Sequence, residues 1–195
     1  IKDNFKLFGF LEIETPALEK NSTLLGKYGN EGDRLVFKIL NSGDKVKKAD
    51  VNSLKQNNLY AFADSISEKG LRYDLTVPLA RFVAQHQNEL VFPFKRYQIQ
   101  NVWRADRPQH GRFQEFTQCD ADVIGPKSII QEIELIKLYD SVFSQLGFND
   151  IIFKINHRSI LTALANYIGA QNKLNEFISI IDKIDKIGLE NVLEE

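Results

Sequence analysis

One stretch of the chain, residues 94–125, limits the fold more than any other. It reads FKRYQIQNVWRADRPQHGRFQEFTQCDADVIG. Successive residues of a β-strand point to opposite faces, so the alternation here predicts two long strands, each with one apolar and one polar face. Pro108 and Gly111 interrupt the alternation and predict a loop between the strands. We therefore expect an antiparallel hairpin that packs through its apolar face.

The two faces of the predicted hairpin differ in chemistry. The residues assigned to the core-facing side are Tyr97, Ile99, Trp103, Phe113, Cys119, Ala121 and Val123. The residues assigned to the polar side are Arg96, Gln98, Gln100, Arg104, Arg112, Gln114, Phe116, Gln118, Asp120 and Asp122. A merely solvated outer face is the alternative, but such a face would favour Lys, Glu and Thr. Fixed cations beside a ring, an amide and a carboxylate instead predict a binding surface for an anionic ligand with a flat ring.

The charge distribution also points to an anionic ligand at one site. The whole chain has a formal net charge of -1, yet between residues 94 and 113 five cationic side chains face a single acidic one. A local basic patch on a nearly neutral protein predicts a phosphate-bearing ligand and argues against general coating of nucleic acid. The single cysteine fits a reducing compartment. With no recognisable signal peptide or transmembrane run, we expect a cytoplasmic protein with no membrane partner.

Outside the hairpin, periodicity predicts a mixture of helices and strands. Helices are expected at residues 1–8, 78–83, 128–146 and from Ser159 onward, and strands at residues 10–15, 34–40, 59–64 and 151–155. Residues 21–33, which are punctuated by glycines, are expected to form a surface loop. Residues 41–58 are rich in Lys, Asp and Asn and have little to bury, so they predict a mobile hairpin tip or a disordered insert.

Two helix starts carry capping signals. Thr76 is placed as N-cap of the helix that Pro78 opens, and Asp74 shares its side if the preceding residues form a strand. A carboxylate and a hydroxyl placed together there could hold an ammonium group. Ser128 and Gln131 form a capping-box pattern before the long helix. The apolar positions expected to face the core along that helix are Ile129, Ile133, Ile136 and Phe143.

Several segments resemble those of a known enzyme family. Residues 94–125 resemble motif 2 of class II aminoacyl-tRNA synthetases, specifically of histidyl-tRNA synthetases. FGFLEIETP, within residues 1–16, resembles the motif 1 dimerisation element, and LRYDLTVPLARFVA, whose first part is residues 71–76, resembles the histidine-binding segment. DKIDKIG, residues 182–188, resembles the stretch before the family's inserted domain. The resemblance implies an α+β fold, a mostly antiparallel sheet flanked by helices, that corresponds to the N-terminal part of the catalytic domain of a homodimer.

The resemblance also implies how ATP is bound. Arg104 would contact the α-phosphate and act as the catalytic residue, while Arg112 would bind the γ-phosphate. Asp106 would lie by the adenine, and Phe116 would stack on its ring. Mg²⁺ would assist on the phosphates. Because His86, His110 and His157 lack metal-ligand spacing, no metal site of the protein's own is expected.

The remaining implied contacts concern histidine and tRNA. The residues expected to bind L-histidine are Asp74, Thr76 and Gln118 at its amino group and Asp122 at its imidazole. The residues expected near the acceptor end of tRNA(His) are Arg107, Gln109 and His110.

The expected function is ATP-dependent activation of histidine to histidyl-adenylate and its transfer to the 3' end of tRNA(His). The alternative is a non-catalytic histidyl-tRNA synthetase-like paralogue that acts as a regulatory or tRNA-sensing module. The family's motif 3, inserted domain and anticodon-binding domain have no counterpart in these 195 residues. The sequence lacks methionine and begins inside a predicted helix, so we expect a piece of a longer polypeptide that does not turn over alone.

Overall fold

The structure, a computed structural model, describes residues 1–125, 127–148 and 150–192. They divide into a first unit, Ile1–Gly147, and a second unit that begins at Phe148. The helices of the first unit are α1 (Lys2–Leu7), α2 (Asn21–Leu24), α3 (Gly29–Arg34), α4 (Val51–Lys55), α5 (Leu59–Ser65), α6 (Thr76–His86) and α7 (Ile130–Gln145). Its strands are β1 (Leu11–Glu12), β2 (Leu18–Lys20), β3 (Lys38–Ile39), β4 (Lys69–Leu71), β5 (Phe94–Trp103) and β6 (Glu115–Ile124).

The predicted hairpin is confirmed and supplies two strands of a three-stranded sheet of order β1–β5–β6. β5 and β6 pair antiparallel along their whole length, and β1 pairs parallel with the other side of β5. The register places Arg96 opposite Asp122 and Gln100 opposite Gln118. Directly opposed residues of neighbouring strands project to the same face, so the polar side chains of both strands share one face as predicted.

The apolar face of this sheet packs against α1 and α7. Phe5, Phe10, Tyr97 and Leu138 form the buried cluster, with the ring of Phe5 stacked 4.7 Å from that of Tyr97. The side chain of Asn4, on α1, forms hydrogen bonds with two residues of α7. Its side-chain nitrogen donates to Gln145 at 2.8 Å, and its side-chain oxygen accepts from the Ser141 hydroxyl at 2.6 Å. These hydrogen bonds of the buried Asn4 hold α1 against α7 and so over the sheet that carries the polar face.

Three of the residues assigned to the core-facing side lie outside the core cluster, and one of them, Trp103, is half-buried against Arg72. Phe113 is 67% exposed, and Cys119 is exposed as well. The core contacts of β6 come from Ala121 and Val123. The helices therefore cover the end of the hairpin far from its loop, and the residues nearer the loop lie beyond that cover.

A second sheet, of order β2–β4–β3, carries the segment that leads into α6. Its central strand passes so close to its neighbours that Gly70 cannot carry a side chain, because a Cβ there would lie 2.8 Å from the carbonyl oxygen of Phe37. The next turn is tied to the first sheet by Arg72, which donates to the Asn101 carbonyl at 2.8 Å and to the Gln100 side chain at 3.1 Å. The two sheets thus hold the 71–76 segment beside the hairpin.

The secondary structure predicted for residues 21–33, 41–58 and 59–64 is wrong, because all three segments contain helix. The first holds α2 and part of α3, and residues 59–64 lie in α5. The insert holds a 3₁₀ helix, Gly43–Lys48, and α4. Of the predicted strand at 34–40, only β3 forms, and it pairs with β4.

Local capping explains the helices in and after the insert. The Asp50 carboxylate accepts from the Ser53 backbone N–H at 3.1 Å, and the Asn58 side chain accepts from the Ala61 N–H at 3.2 Å. Each of these contacts satisfies an N–H that has no partner within the first helical turn. Asp and Asn in a polar stretch predict disorder by composition, whereas here they start helices.

The start of α6 also differs from the prediction. Thr76 is the first helical residue and not the N-cap, and the N-cap Leu75 makes no side-chain bond. Instead, the Asp74 carboxylate accepts from the Val77 N–H at 3.2 Å. Because β4 ends at Leu71, Asp74 and Thr76 do not share the face of a strand.

The long helix α7 is confirmed, but its predicted core-facing stripe is wrong. Leu135, Leu138 and Val142 pack against the core, whereas Ile129 and Ile133 are 76% and 49% exposed. Ile136 and Phe143 are half-buried.

The predicted capping box of α7 does not form as expected. Ile129 is the N-cap and makes no side-chain bond, so Ser128 lies one position too early. Among the described residues, the Ser128 hydroxyl oxygen accepts a single long bond of 3.4 Å, from the Ile130 N–H.

The second unit contains α8 (Arg158–Tyr167), a 3₁₀ turn (Gln171–Lys173), α9 (Leu174–Ile187) and α10 (Leu189–Val192). This confirms the helical prediction from Ser159 as far as Val192, and the rest of that prediction, residues 193–195, lies outside the described residues. The strand expected at 151–155 does not form. His157 caps α8, with its Nδ1 accepting from the Ser159 N–H at 3.2 Å. Gly188 ends α9 with a φ of 83°. Within the described ranges, no helix has the length and apolar character needed to cross a membrane.

Candidate functional site

A cleft of about 590 Å³ opens beside the loop end of the hairpin. Its lining residues are Tyr28, Gly32, Leu35, Tyr73, Arg104, Asp106, Gly111, Arg112, Phe113 and Phe116. The four residues that the resemblance assigns to ATP are all among them: Arg104, Asp106, Arg112 and Phe116. The cleft therefore combines two cationic forks with aromatic rings, which suits phosphate at one part and a flat ring at another.

Arg104 is held at this cleft by rings and by the backbone. Its guanidinium lies 4.4 Å from the ring centre of Tyr73 and 5.1 Å from that of Phe116. Its Nε donates to the Tyr73 carbonyl at 3.2 Å. A guanidinium over two aromatic faces is held by cation–π attraction and keeps its terminal nitrogens for an anion.

The loop between β5 and β6 is closed by its own contacts. Gln109 and Arg112 exchange backbone hydrogen bonds of 3.3 and 2.9 Å, and Gln114 donates from its side chain to the Asp106 carbonyl at 3.0 Å. The Arg112 guanidinium lies 3.7 Å from the Asp106 carboxylate. This distance leaves the Arg112 charge available to a stronger anion at the cleft.

The three residues predicted to meet tRNA lie in the same loop. Arg107, Gln109 and His110 are all exposed. They share the cleft's end of the hairpin and none of them lines the cleft.

Asp74 lies where the cleft meets the 71–76 segment. Its carboxylate accepts from the Tyr28 hydroxyl at 2.9 Å, and the Tyr28 ring lies 4.6 Å from that of Tyr73. Burial, followed by the Asp74 charge, raises the pKa of Tyr28 above its ordinary value. The phenol therefore remains a proton donor to Asp74. Thr76, one residue beyond Leu75, is exposed at the first turn of α6.

Gln118 and Asp122 lie further along the polar face, away from the loop. The Gln118 side-chain oxygen is shielded from solvent and accepts no hydrogen bond from the described residues. One Asp122 oxygen pairs with the Arg96 guanidinium at 2.5 Å, and the Asp122 side chain remains 35% exposed. An unsatisfied buried acceptor and a partly open carboxylate both favour a ligand that brings N–H donors.

Asp120 lies between Gln118 and Asp122 on the same face. Burial raises the pKa of Asp120, the charges of Asp122 and Asp74 add to the increase, and the Arg96 cation opposes it. The face therefore concentrates negative charge at the end that Arg96 occupies.

Three residues that sequence reasoning did not select lie at this site: Tyr28, Tyr73 and Arg96. Tyr73 could have been found from its place inside LRYDLT, directly before Asp74. Tyr28 lies in the glycine-punctuated segment that was interpreted as a surface loop. Arg96 was assigned to the polar face, and nothing in the sequence distinguishes it from the other arginines of the hairpin.

Comparison with known proteins identifies the family. The histidyl-tRNA synthetase family matches residues 50–195, three-quarters of the chain. The chain belongs to the histidyl-tRNA synthetase family. The resemblance found in the sequence is therefore confirmed.

Individual relatives agree with this assignment. The chain is 60% identical over 195 residues to the histidine–tRNA ligase of Christiangramia forsetii and 55% identical over 195 residues to that of Phocaeicola vulgatus. Each match covers all of this chain and 43% of the relative, so the chain spans less than half the length of these histidyl-tRNA synthetase relatives.

Solved structures agree on the fold. The histidyl-tRNA synthetase of a Nostoc species matches with a TM-score of 0.74 and 29% identity, over 98% of this chain and 38% of that one. An ATP phosphoribosyltransferase regulatory subunit/histidyl-tRNA synthetase from Bacillus halodurans matches with a TM-score of 0.67 over 90% of this chain and 40% of that one. At 24% identity, the second likeness concerns the fold alone. The α+β fold of class II aminoacyl-tRNA synthetases is therefore confirmed.

Proposed function

We propose that the protein, at the full length of its relatives, activates L-histidine with ATP and transfers it to tRNA(His). The observation that carries the proposal is the grouping of Arg104, Arg112, Asp106 and Phe116 around one cleft. The polar face that leads away from this cleft carries Gln118 and Asp122, which the resemblance assigns to histidine. A nucleotide site and an amino-acid site on one β-hairpin suit a reaction between the two ligands.

The cleft residues have distinct tasks in this proposal. Arg104 binds the α-phosphate and Arg112 the γ-phosphate, because a planar guanidinium holds phosphate oxygens with two parallel hydrogen bonds. Phe116 offers its ring to the adenine, and Asp106 lies beside it. Mg²⁺ bound to the nucleotide would neutralise part of its phosphate charge.

The amino-acid site combines two segments. The ammonium group of histidine binds to three residues. Asp74 lies in the turn before α6, Thr76 is the first residue of α6, and Gln118 lies on β6. Asp122 accepts a hydrogen bond from the imidazole N–H. An amino acid without a ring N–H would not make this charge-assisted hydrogen bond, so the site favours histidine over such analogues.

Positioning and electrostatics perform the first step. A carboxylate oxygen of histidine attacks the α-phosphorus of ATP, the bond to the bridging oxygen breaks, and pyrophosphate leaves. Both reactants are anions, so Arg104 offsets their repulsion and the charge that develops in the transition state. No nucleophile of the protein is required.

In the second step, a ribose hydroxyl at the 3' end of tRNA attacks the histidyl carbonyl and AMP leaves. Arg107, Gln109 and His110 are the residues proposed to meet the acceptor end, because they are exposed on the loop that borders the cleft. The segment within residues 1–16 is proposed to pair two subunits, and the protein is proposed to work in the cytoplasm. The regulatory alternative has no specific support, since the relatives at 53–60% identity are called histidine–tRNA ligases.

The test is ATP–pyrophosphate exchange measured with each amino acid in turn, on the protein at the full length of its relatives. We expect exchange with histidine only. Arg104→Met should slow it by about 100-fold, because one lost transition-state contact costs about 3 kcal/mol. Arg34→Met, which removes an exposed arginine, is the matched control and should leave exchange unchanged. Exchange that depends on another amino acid, or none with histidine, contradicts the proposal.

A further inference from the structure

Arg96 carries a positive charge at a place where water does not reach it. It lies on the polar face of β5 and is fully buried. Its guanidinium pairs with the Asp122 carboxylate at 2.5 Å, donates to the Leu75 carbonyl at 3.5 Å and donates to the Gln98 side-chain oxygen at 3.3 Å. Its Nε has no hydrogen-bond partner among the described residues.

A buried ion pair of this kind contributes little net stability. Removing a guanidinium from water is expensive, and apolar residues of similar size often replace buried ion pairs without loss. Burial lowers the pKa of Arg96, and the charges of Asp122, Asp120 and Asp74 oppose that decrease. One guanidinium therefore balances three carboxylates that come from β6 and from the turn before α6.

The contacts of Arg96 join the two segments of the proposed amino-acid site. Asp122 belongs to β6, and the Leu75 carbonyl lies between Asp74 and Thr76. We propose that Arg96 is a positioning residue for histidine, which holds the Asp122 carboxylate and the 74–76 turn at a fixed separation. The inference rests on the proposed function. Arg96 acts through Asp122 and the 74–76 turn and does not itself contact histidine.

A chain of side-chain hydrogen bonds supports Arg96 through Gln98. The Gln98 side-chain nitrogen donates to the Thr15 hydroxyl at 2.8 Å and to Gln100 at 2.5 Å. Gln100 in turn accepts from Arg72 at 3.1 Å. Because the nitrogen of Gln98 is engaged in this way, its oxygen is left facing Arg96. The guanidinium is therefore fixed in orientation as well as in place.

The first test is the KM for histidine and for ATP in pyrophosphate exchange, measured on the protein at the full length of its relatives. Arg96→Met keeps the length of the side chain and removes its charge and donors. We expect the KM for histidine to rise about 10- to 100-fold, which is the range for a lost hydrogen bond to a charged group. The KM for ATP should stay within about threefold, because the nucleotide residues lie at the other end of the face.

The matched control is Arg81→Met. Arg81 also pairs with a buried carboxylate, that of Glu19, at 2.8 Å, and it lies on α6, the helix that follows the 74–76 turn. The same chemical change there should leave the KM for histidine unchanged. If Arg96→Met does not fold, Arg96→Lys decides, because lysine keeps the charge but cannot reach three partners in a fork. Arg96→Lys should raise the KM for histidine above that of the parent and leave the KM for ATP unchanged.

A double-mutant cycle separates positioning from a general loss of structure. Asp122→Asn alone should raise the KM for histidine, and adding Arg96→Met should raise it by no more than about threefold further, because the two residues act as one unit. Full additivity of the two changes contradicts the inference. So does an unchanged KM for histidine in Arg96→Met or Arg96→Lys when the parent is active. A parent with no histidine-dependent exchange contradicts the proposed function itself, and the inference with it.

Discussion

Tyr28 connects a helical segment near the N-terminus to the proposed amino-acid site. Its hydroxyl donates to Asp74 at 2.9 Å, and its raised pKa keeps the proton in place. Tyr28→Phe retains the ring that lies against Tyr73 and removes only this hydrogen bond. We expect the KM for histidine in pyrophosphate exchange to rise about 2- to 10-fold, the range for one ordinary hydrogen bond.

The effect of Tyr28→Phe should not vary between pH 6 and pH 9, since the phenol stays protonated throughout. Tyr60→Phe is the control, because Tyr60 is 67% exposed and lies outside the cleft. An equal KM in Tyr28→Phe and the parent would mean that Asp74 does not depend on this hydrogen bond.

Asp120 provides a residue-scale prediction about pH. Burial raises the pKa of its carboxyl, so the folded state binds this proton more tightly than the unfolded state does. Its charge therefore weakens folding above the pKa of an unfolded aspartate and has no effect at lower pH, where both states are protonated. Asp120→Asn should raise the Tm at pH 7, and the difference from the parent should shrink as the pH falls towards 3. Thermal unfolding followed across this range checks it, and a lower Tm at pH 7 contradicts it.

At the scale of elements, α7 allows a direct comparison of two faces of one helix. Leu138 is 2% exposed in the core, whereas Ile133 is 49% exposed. Leu138→Ala should lower the free energy of unfolding by about 2–5 kcal/mol, because it leaves a cavity against Phe5 and Tyr97. Ile133→Ala should cost less than about 1 kcal/mol. Urea unfolding of both variants measures the difference, and a larger loss for Ile133 would show that the other face is the buried one.

The hairpin was predictable because its alternation is a direct consequence of strand geometry. The alternation extends over ten residues in each strand, so a single residue that departs from it does not alter the predicted strand. The face of α7 was not predictable in this way. Ile129, Ile133 and Ile136 on one side, and Leu135, Leu138 and Val142 on the other, both follow helical spacing, and only packing against the sheet decides between them.

The errors near residues 41–64 have a local cause. The polar insert was interpreted from its composition, whereas Asp50 and Asn58 act through single capping contacts. The start of α6 also depends on a single capping contact. The sequence predicts Thr76 as the cap, whereas Asp74, two residues earlier, accepts the hydrogen bond from the Val77 N–H.

For the candidate site, the sequence identified the polar face of the hairpin. It did not show which polar residues lie at the open cleft and which are buried. Arg96 and Arg104 share the alternation of one strand, and no local signal separates them. Long-range packing does so, since the Leu75 carbonyl and Gln98 enclose Arg96 while Tyr73 and Phe116 hold Arg104 at the open cleft.

At the scale of the molecule, one face of one sheet has two parts. Near the loop it opens into the cleft, and away from the loop it is a buried polar network centred on Arg96 and Gln98. The helices α1 and α7 cover the opposite face, so the core and the site lie on the two sides of the same hairpin. Changes to Leu138 should therefore affect stability, whereas changes to Phe116 should affect binding.

The central claim is that this face binds a nucleotide and histidine next to each other. Calorimetry tests it with AMP, with histidine, and with a non-hydrolysable histidyl-adenylate analogue, on the protein at the full length of its relatives. Phe116→Ala should weaken AMP about 5- to 100-fold by the loss of ring stacking and leave histidine unchanged. Asp122→Asn should weaken histidine and leave AMP unchanged, and both variants should weaken the analogue. If the analogue binds either variant as tightly as the parent, the two ligands do not share this face and the account is wrong.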